Sequence, residues 1–137
     1  MNYPSKTEIT VAWGEMDAFG HVNNVVFFRY FESARIEYFR MIMGDNIATD
    51  DFTPILANSE CAYLRPVYFP DKLVAEAAVT RLGRSSMDME YRLTSVKQGQ
   101  VVAQGKAVIV NVDRKTGKGS PLPDELRQKI ADLQGQS

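Results

Sequence analysis

Asn24-Val25-Val26-Phe27-Phe28-Arg29-Tyr30-Phe31-Glu32-Ser33-Ala34-Arg35-Ile36-Glu37-Tyr38-Phe39-Arg40-Met41-Ile42-Met43 decides the fold of this chain. Phe27, Tyr30, Phe31, Ala34, Tyr38 and Met41 recur at spacings of three and four, the period of a helix with an apolar face. Phe28, Ile36, Phe39 and Ile42 widen that face beyond one stripe. A helix this apolar is expected to be covered on more than one side, by a sheet and by a second subunit. Glu32–Arg35 and Glu37–Arg40 are expected neighbours at i, i+3. Asn23 or Asn24 can cap the first turn by accepting from its free N–H groups. Gly44-Asp45-Asn46 ends the helix.

Around this helix the pattern has period two. Glu8 to Trp13 alternates, with Ile9, Val11 and Trp13 on one face. Gly14 through Gly20 break the pattern and carry the acidic residues Glu15 and Asp17. Beyond the helix, Ile55 to Val67 reads as a long strand with Ile55, Ala57, Cys61 and Tyr63 facing one way, Asn58 and Glu60 the other. Leu73 to Thr80, Met87 to Thr94 and Val101 to Val112 follow as three more strands, joined at Leu82-Gly83-Arg84-Ser85 and Gln98-Gly99-Gln100. The last is apolar on both faces from Ala107 to Val110, which predicts a central position. Pro123 opens a short terminal helix that ends near Leu133, and Gln134 onward is expected to fray. The order is strand, long helix, then about four strands. This predicts an α+β fold: one long helix against a curved five-stranded antiparallel sheet, with a short C-terminal helix. A single domain over residues 1–137 is expected. One helix does not easily cover five strands and also bury its own wide apolar surface, so self-association is expected.

Bulk properties narrow the function. The chain has 137 residues, 45% of them hydrophobic, enough for a core. A net charge of -1 and a pI of about 5.8 argue against a nucleic-acid binder. Cys61 is the single cysteine and cannot form an internal disulfide, which fits a reducing cytoplasm. Met1 to Lys6 show no basic region followed by an apolar run, so no signal peptide is expected. No stretch is apolar enough to span a membrane. A soluble cytoplasmic protein is expected.

The chemistry concentrates in Asp17-Ala18-Phe19-Gly20-His21-Val22-Asn23-Asn24. If the Asp17 carboxylate approaches the helix N-terminus, the helix dipole favours its charge. The N–H groups there, notably that of Asn24, could also hold the oxygen of a substrate carbonyl. A carboxylate that attacks or activates water, with a polarised carbonyl beside it, suffices for acyl transfer to water. Gly20 permits a tight turn. On the bare pattern, an acidic residue before a helix is more often a cap or a solvated turn. His21 is the only histidine, and hydrogen bonding within the turn is its plainer role. No Gly-x-Ser-x-Gly elbow is present, and Cys61 falls within a predicted strand where a small buried thiol is the ordinary outcome. One His and one Cys do not make metal-ligand spacing, so no metal is expected.

Trp13 to Asn24, followed by Tyr30-Phe31-Glu32-Ser33-Ala34-Arg35, resembles the hotdog-fold acyl-CoA thioesterases of the 4-hydroxybenzoyl-CoA thioesterase type. The resemblance continues in Tyr63-Leu64-Arg65-Pro66-Val67, in Leu82-Gly83-Arg84-Ser85-Ser86 and in Val110-Asn111-Val112-Asp113. It implies a hotdog fold, a homodimer that joins two sheets into one, pairing of dimers into a homotetramer, and hydrolysis of an acyl-CoA thioester between subunits. It maps the catalytic aspartate onto Asp17 and the carbonyl-polarising amide onto Asn24. Gly20, His21 and Asn23 occupy the family's turn. Arg84 with Ser85 and Ser86, and then Arg65, are the candidates for the CoA phosphates. The acidic residue two before Asp17 is Glu15, where relatives often carry Asp. In a separate branch the carboxylate sits on the helix itself, and Glu32 would be its nearest substitute here.

The sequence thus predicts a thioesterase with Asp17 as general base or nucleophile and no cofactor, CoA being part of the substrate. Two other readings stand beside it: an acyl-CoA-binding module that does not hydrolyse, and a hydratase or dehydratase on the same fold. Phe27, Phe28, Phe31 and Tyr63 suit an aromatic or an aliphatic acyl pocket, with core packing their default role.

Overall fold

The structure is a computed structural model that describes residues 2–46 and 49–135. The strands are β1 (Ser5–Thr10), β2 (Pro54–Tyr63), β3 (Lys72–Leu82), β4 (Ser86–Ser95) and β5 (Gln100–Asn111), and the helices are α1 (Val26–Met43) and α2 (Asp124–Leu133). All strand pairs are antiparallel and form a five-stranded sheet in the order β1-β3-β4-β5-β2. This is the hotdog arrangement, with α1 laid against one face of the sheet and contacting chiefly β1 and β3.

Period decides which face is buried. β4 alternates without a break, with Met87, Met89, Tyr91 and Leu93 buried under the helices and Asp88, Glu90, Arg92 and Thr94 on the far face. α1 buries Phe27, Tyr30, Phe31, Ala34, Tyr38 and Phe39. Met41, expected on this face, is exposed instead, and Phe39 takes its place by packing edge-on against Phe52 at 5.6 Å. The Phe31 ring stacks on Tyr91 at 5.0 Å and lies directly over Gly105, where an added Cβ would meet it at 2.5 Å. Gly44, at φ 65, closes α1 by donating its N–H to the Arg40 carbonyl.

Several expectations are corrected. β1 stops at Thr10, and Trp13 lies in a short 3-10 turn with its side chain 72% exposed. The alternation through Trp13 is interrupted because the Glu15 carboxylate takes the Ala12 N–H at 2.7 Å and curls the chain. β2 ends at Tyr63, and the Leu64 and Arg65 N–H groups both turn to the Val102 carbonyl. A bulge between Leu56 and Asn58 puts Ile55 on the face opposite Cys61 and Tyr63, because one extra residue shifts the period of two. β5 is interior, but β4 is the middle strand. Arg40 does pair with Glu37 at 3.2 Å, whereas Arg35 donates to the Tyr91 hydroxyl at 3.0 Å rather than to Glu32.

The C-terminus is tied down through Gln134, against the expected fraying from that residue onward. Its Oε1 accepts from the Tyr38 hydroxyl at 2.6 Å and from the Val79 N–H at 3.0 Å, two residues beyond the last β1–β3 pair, Ser5 with Ala77. Residues 136–137, also expected to fray, lie outside the described residues.

Candidate active site

Between the 3-10 turn and α1 the chain makes a miniature hairpin. The Asp17 N–H donates to the His21 carbonyl at 2.8 Å, the Asn23 N–H to the Glu15 carbonyl at 2.9 Å, and Met16 bridges Val22 between them. The tip is Asp17-Ala18-Phe19-Gly20, closed by the Gly20 N–H on the Asp17 carbonyl at 3.1 Å. Gly20 has φ 86, a left-handed conformation that a Cβ would strain. Only Val22 of this hairpin is a buried side chain; its N–H reaches the Val67 carbonyl at 2.8 Å and ties the hairpin to the segment after β2.

Asp17 and Asn24 therefore come from the two arms of one small hairpin. The Asp17 Oδ1 accepts the Phe19 N–H at 2.8 Å, and Oδ2 lies 3.5 Å from His21 Nδ1. The carboxylate is thus oriented by its own turn, with 22% of the side chain open to solvent. Asn23 Oδ1 accepts the Val25 N–H at 3.0 Å and braces the turn before α1, but the N-cap is Val25 with no side-chain cap, so neither Asn23 nor Asn24 takes the expected capping position. Among the described residues the Asn24 N–H donates to no partner. Its carbonyl accepts both the Phe27 N–H at 3.3 Å and the Tyr63 hydroxyl at 2.7 Å.

Beside the hairpin is a cleft of about 230 Å³, lined by His21, Asn24, Phe27, Tyr63, Arg65 and Pro66, among others. Asp17 does not line it; the carboxylate meets the cleft through His21. The Phe27 and Tyr63 rings, 5.1 Å apart, make its apolar wall. Arg65 is exposed at its rim. A larger hollow of about 380 Å³ lies on the helix-free face of the sheet, between Tyr3, Glu60, Glu90 and Lys106, and none of the expected site residues lines it.

Gly20 and His21 therefore contact Asp17 directly, Asn23 and Asn24 follow on the other arm of the hairpin, and Arg65 lines the same cleft as His21 and Asn24. Arg84, Ser85 and Ser86 do not. They turn the β3–β4 hairpin, where Ser86 pairs with Val110 at the Pro54 end of β2, while the cleft lies at the Tyr63 end. Glu32 is exposed on α1. Burial pushes the Cys61 thiol up to about 11, so it carries no thiolate nucleophile at neutral pH. The sequence reading missed the groups that hold the hairpin: Glu15 with Tyr30, and Tyr63 with Asn24. The available signal was a phenol on a buried helix face, which must find a polar partner.

A family model described as "Thioesterase-like superfamily" matches residues 11–130. The chain is 33% identical over 125 residues to the uncharacterized protein YsmA of Bacillus subtilis, covering 90% of this chain and 82% of the relative. It is 29% identical over 134 residues to the long-chain acyl-CoA thioesterase FadM of Escherichia coli, covering 93% and 98%. Among solved structures, a thioesterase from Thermus thermophilus complexed with coenzyme A and Zn superposes with a TM-score of 0.87 at 35% identity, covering 98% of this chain and 97% of the other.

Proposed function

The chain belongs to the thioesterase-like superfamily, and from that premise we propose that it is a thioester hydrolase that splits acyl-CoA into free acid and CoA, with Asp17 as its carboxylate. The observation that carries the reading is one hairpin that presents an oriented carboxylate on one arm and an unpaired N–H on the other, next to an open cleft. The thioester carbonyl accepts the Asn24 N–H, at the positive end of the 18-residue α1 dipole. Asp17 then either takes a proton from an attacking water or adds to the carbonyl carbon itself. The C–S bond breaks and CoA leaves as thiolate, which takes up a proton; with water as the attacker the acid is then free, whereas attack by Asp17 leaves a mixed anhydride that a water must cleave to release the acid and restore the carboxylate. His21 Nδ1 holds the Asp17 carboxylate against rotation, and Gly20 and Asn23 shape the arms. Both routes give the same products; ¹⁸O from water appearing in the Asp17 side chain after a single turnover marks the covalent one.

The working unit is a homodimer built through β2, with pairing of dimers beyond it. β2 is a ten-residue edge strand whose Ile55, Leu56 and Tyr63 are 48%, 47% and 42% exposed, and such an edge is suited to strand pairing. Pairing two copies antiparallel along β2 brings the Pro54 end of one beside the Tyr63 end of the other. The Arg84-Ser85-Ser86 hairpin of the second copy then approaches the cleft of the first, where its cation and hydroxyls suit CoA phosphates, together with Arg65. Among the described residues no helix is long and apolar enough to cross a membrane, and the substrate is taken to be the cytoplasmic CoA ester pool.

Thiol release across short, long and aromatic acyl-CoAs tests the reading. Asp17→Asn is expected to lower kcat by roughly 10²–10⁴, the range of a positioned acid–base group, with acyl-CoA binding retained. Full turnover in that variant moves the chemistry away from Asp17. Tight acyl-CoA binding with no thiol release by the unaltered protein instead identifies a binding module.

A further inference from the structure

The hairpin that carries Asp17 has one buried anchor, Val22, which seats it on the segment after β2. Trp13, Phe19 and Val25 are 72%, 85% and 72% exposed, so burial does little to fix how its base sits over α1. Hydrogen bonds do that, and one residue, Glu15, collects them. Glu15 Oε1 accepts the Ala12 N–H at 2.7 Å and the Tyr30 hydroxyl at 2.9 Å, while the Glu15 carbonyl accepts the Asn23 N–H at 2.9 Å. Tyr30 is 2% exposed on the second turn of α1. Glu15 stands two residues before Asp17 on one arm and bonds the residue before Asn24 on the other.

We propose that Glu15 and Tyr30 are positioning residues, whose bond clamps the base of the hairpin to α1 and so sets the Asp17 carboxylate and the Asn24 N–H in mutual register. Neither touches the acyl-CoA. The proposal rests on the assignment of the chemistry to Asp17. Burial and the Glu15 carboxylate both push the Tyr30 phenol up, so it remains a donor across the physiological range. Geometry of this kind matters because an error of about 1 Å at a reacting group costs on the order of 10²-fold in rate.

Steady-state thiol release is measured for the unaltered protein, Tyr30→Phe, Glu15→Ala, Glu15→Gln, the Glu15→Ala/Tyr30→Phe pair and Asp17→Asn, with thermal midpoints recorded alongside. Tyr30→Phe keeps every carbon of the ring and is expected to lower kcat about tenfold with KM within about twofold. Glu15→Ala is expected to lose at least as much, and Glu15→Gln, which keeps an acceptor oxygen, to retain most of kcat. The double variant is expected to fall no further than Glu15→Ala alone, since both remove one contact. Unchanged kcat in Tyr30→Phe, additive losses, or a loss confined to KM overturns the clamp. If Glu15→Ala fails to fold, Tyr30→Phe against Glu15→Gln still decides. An active Asp17→Asn removes the chemical assignment and the clamp with it, whereas an inactive Asp17→Asn beside a fully active Tyr30→Phe removes the clamp alone.

Discussion

At the scale of single residues, Asp17 and Gly105 illustrate two ways in which a sequence constrains its own geometry. The Asp17 turn is legible without coordinates, because Asp and Gly at this spacing read as a tight turn ahead of a helix. Glu15 is not legible, since its partner Tyr30 is 15 positions away and only the folded chain brings the two within 2.9 Å. Gly105 likewise reads as an ordinary strand residue until α1 is laid over it. Its missing side chain is the space that the Phe31 ring occupies, and that ring is pinned from the other side by Tyr91. Gly105→Ala is therefore expected to destabilise the fold by about 1–3 kcal/mol, the usual cost of overpacking. A thermal midpoint unchanged within about a degree would show that the ring has somewhere else to go, since a loss of that size moves the midpoint by several degrees.

At the scale of elements, α1 is the most legible piece. Its apolar period of 3.6 runs for 18 residues, long enough that one misplaced position, Met41, does not disturb the pattern. β2 is the least legible. Its bulge reverses the facing of every residue on one side of it, and nothing in Leu56-Ala57-Asn58 announces an unpaired residue. The same strand exposes apolar side chains along a free edge, which is where the homodimer is expected to form. Ile55→Lys, a charge on that edge, is expected to convert a dimer to monomers in light scattering at micromolar concentration and to depress thiol release with it. A monomeric unaltered protein of full activity would contradict the shared site. The proposed reach of the Arg84 hairpin to a partner's cleft is not legible in the sequence either, because within one chain the two stand at opposite ends of the sheet.

At the scale of the whole molecule, the strand order β1-β3-β4-β5-β2 separates what is local in the chain from what is distant. β3, β4 and β5 follow one another through short turns, while β1 and β2, which flank α1 in sequence, are sent to opposite borders. Neighbours along the chain find each other sooner than distant ones, because closing a long loop costs more entropy. The central meander is thus the part suited to form early, and the Asp17 hairpin, slung between β1 and the start of α1, can be seated only after the flanks arrive. During refolding from denaturant, strand signal in circular dichroism is expected to recover ahead of thiol-releasing activity, and amides of β4 to gain protection from exchange before the Val22 amide. Simultaneous recovery of all three would mean that the chain assembles its borders and its middle in one step.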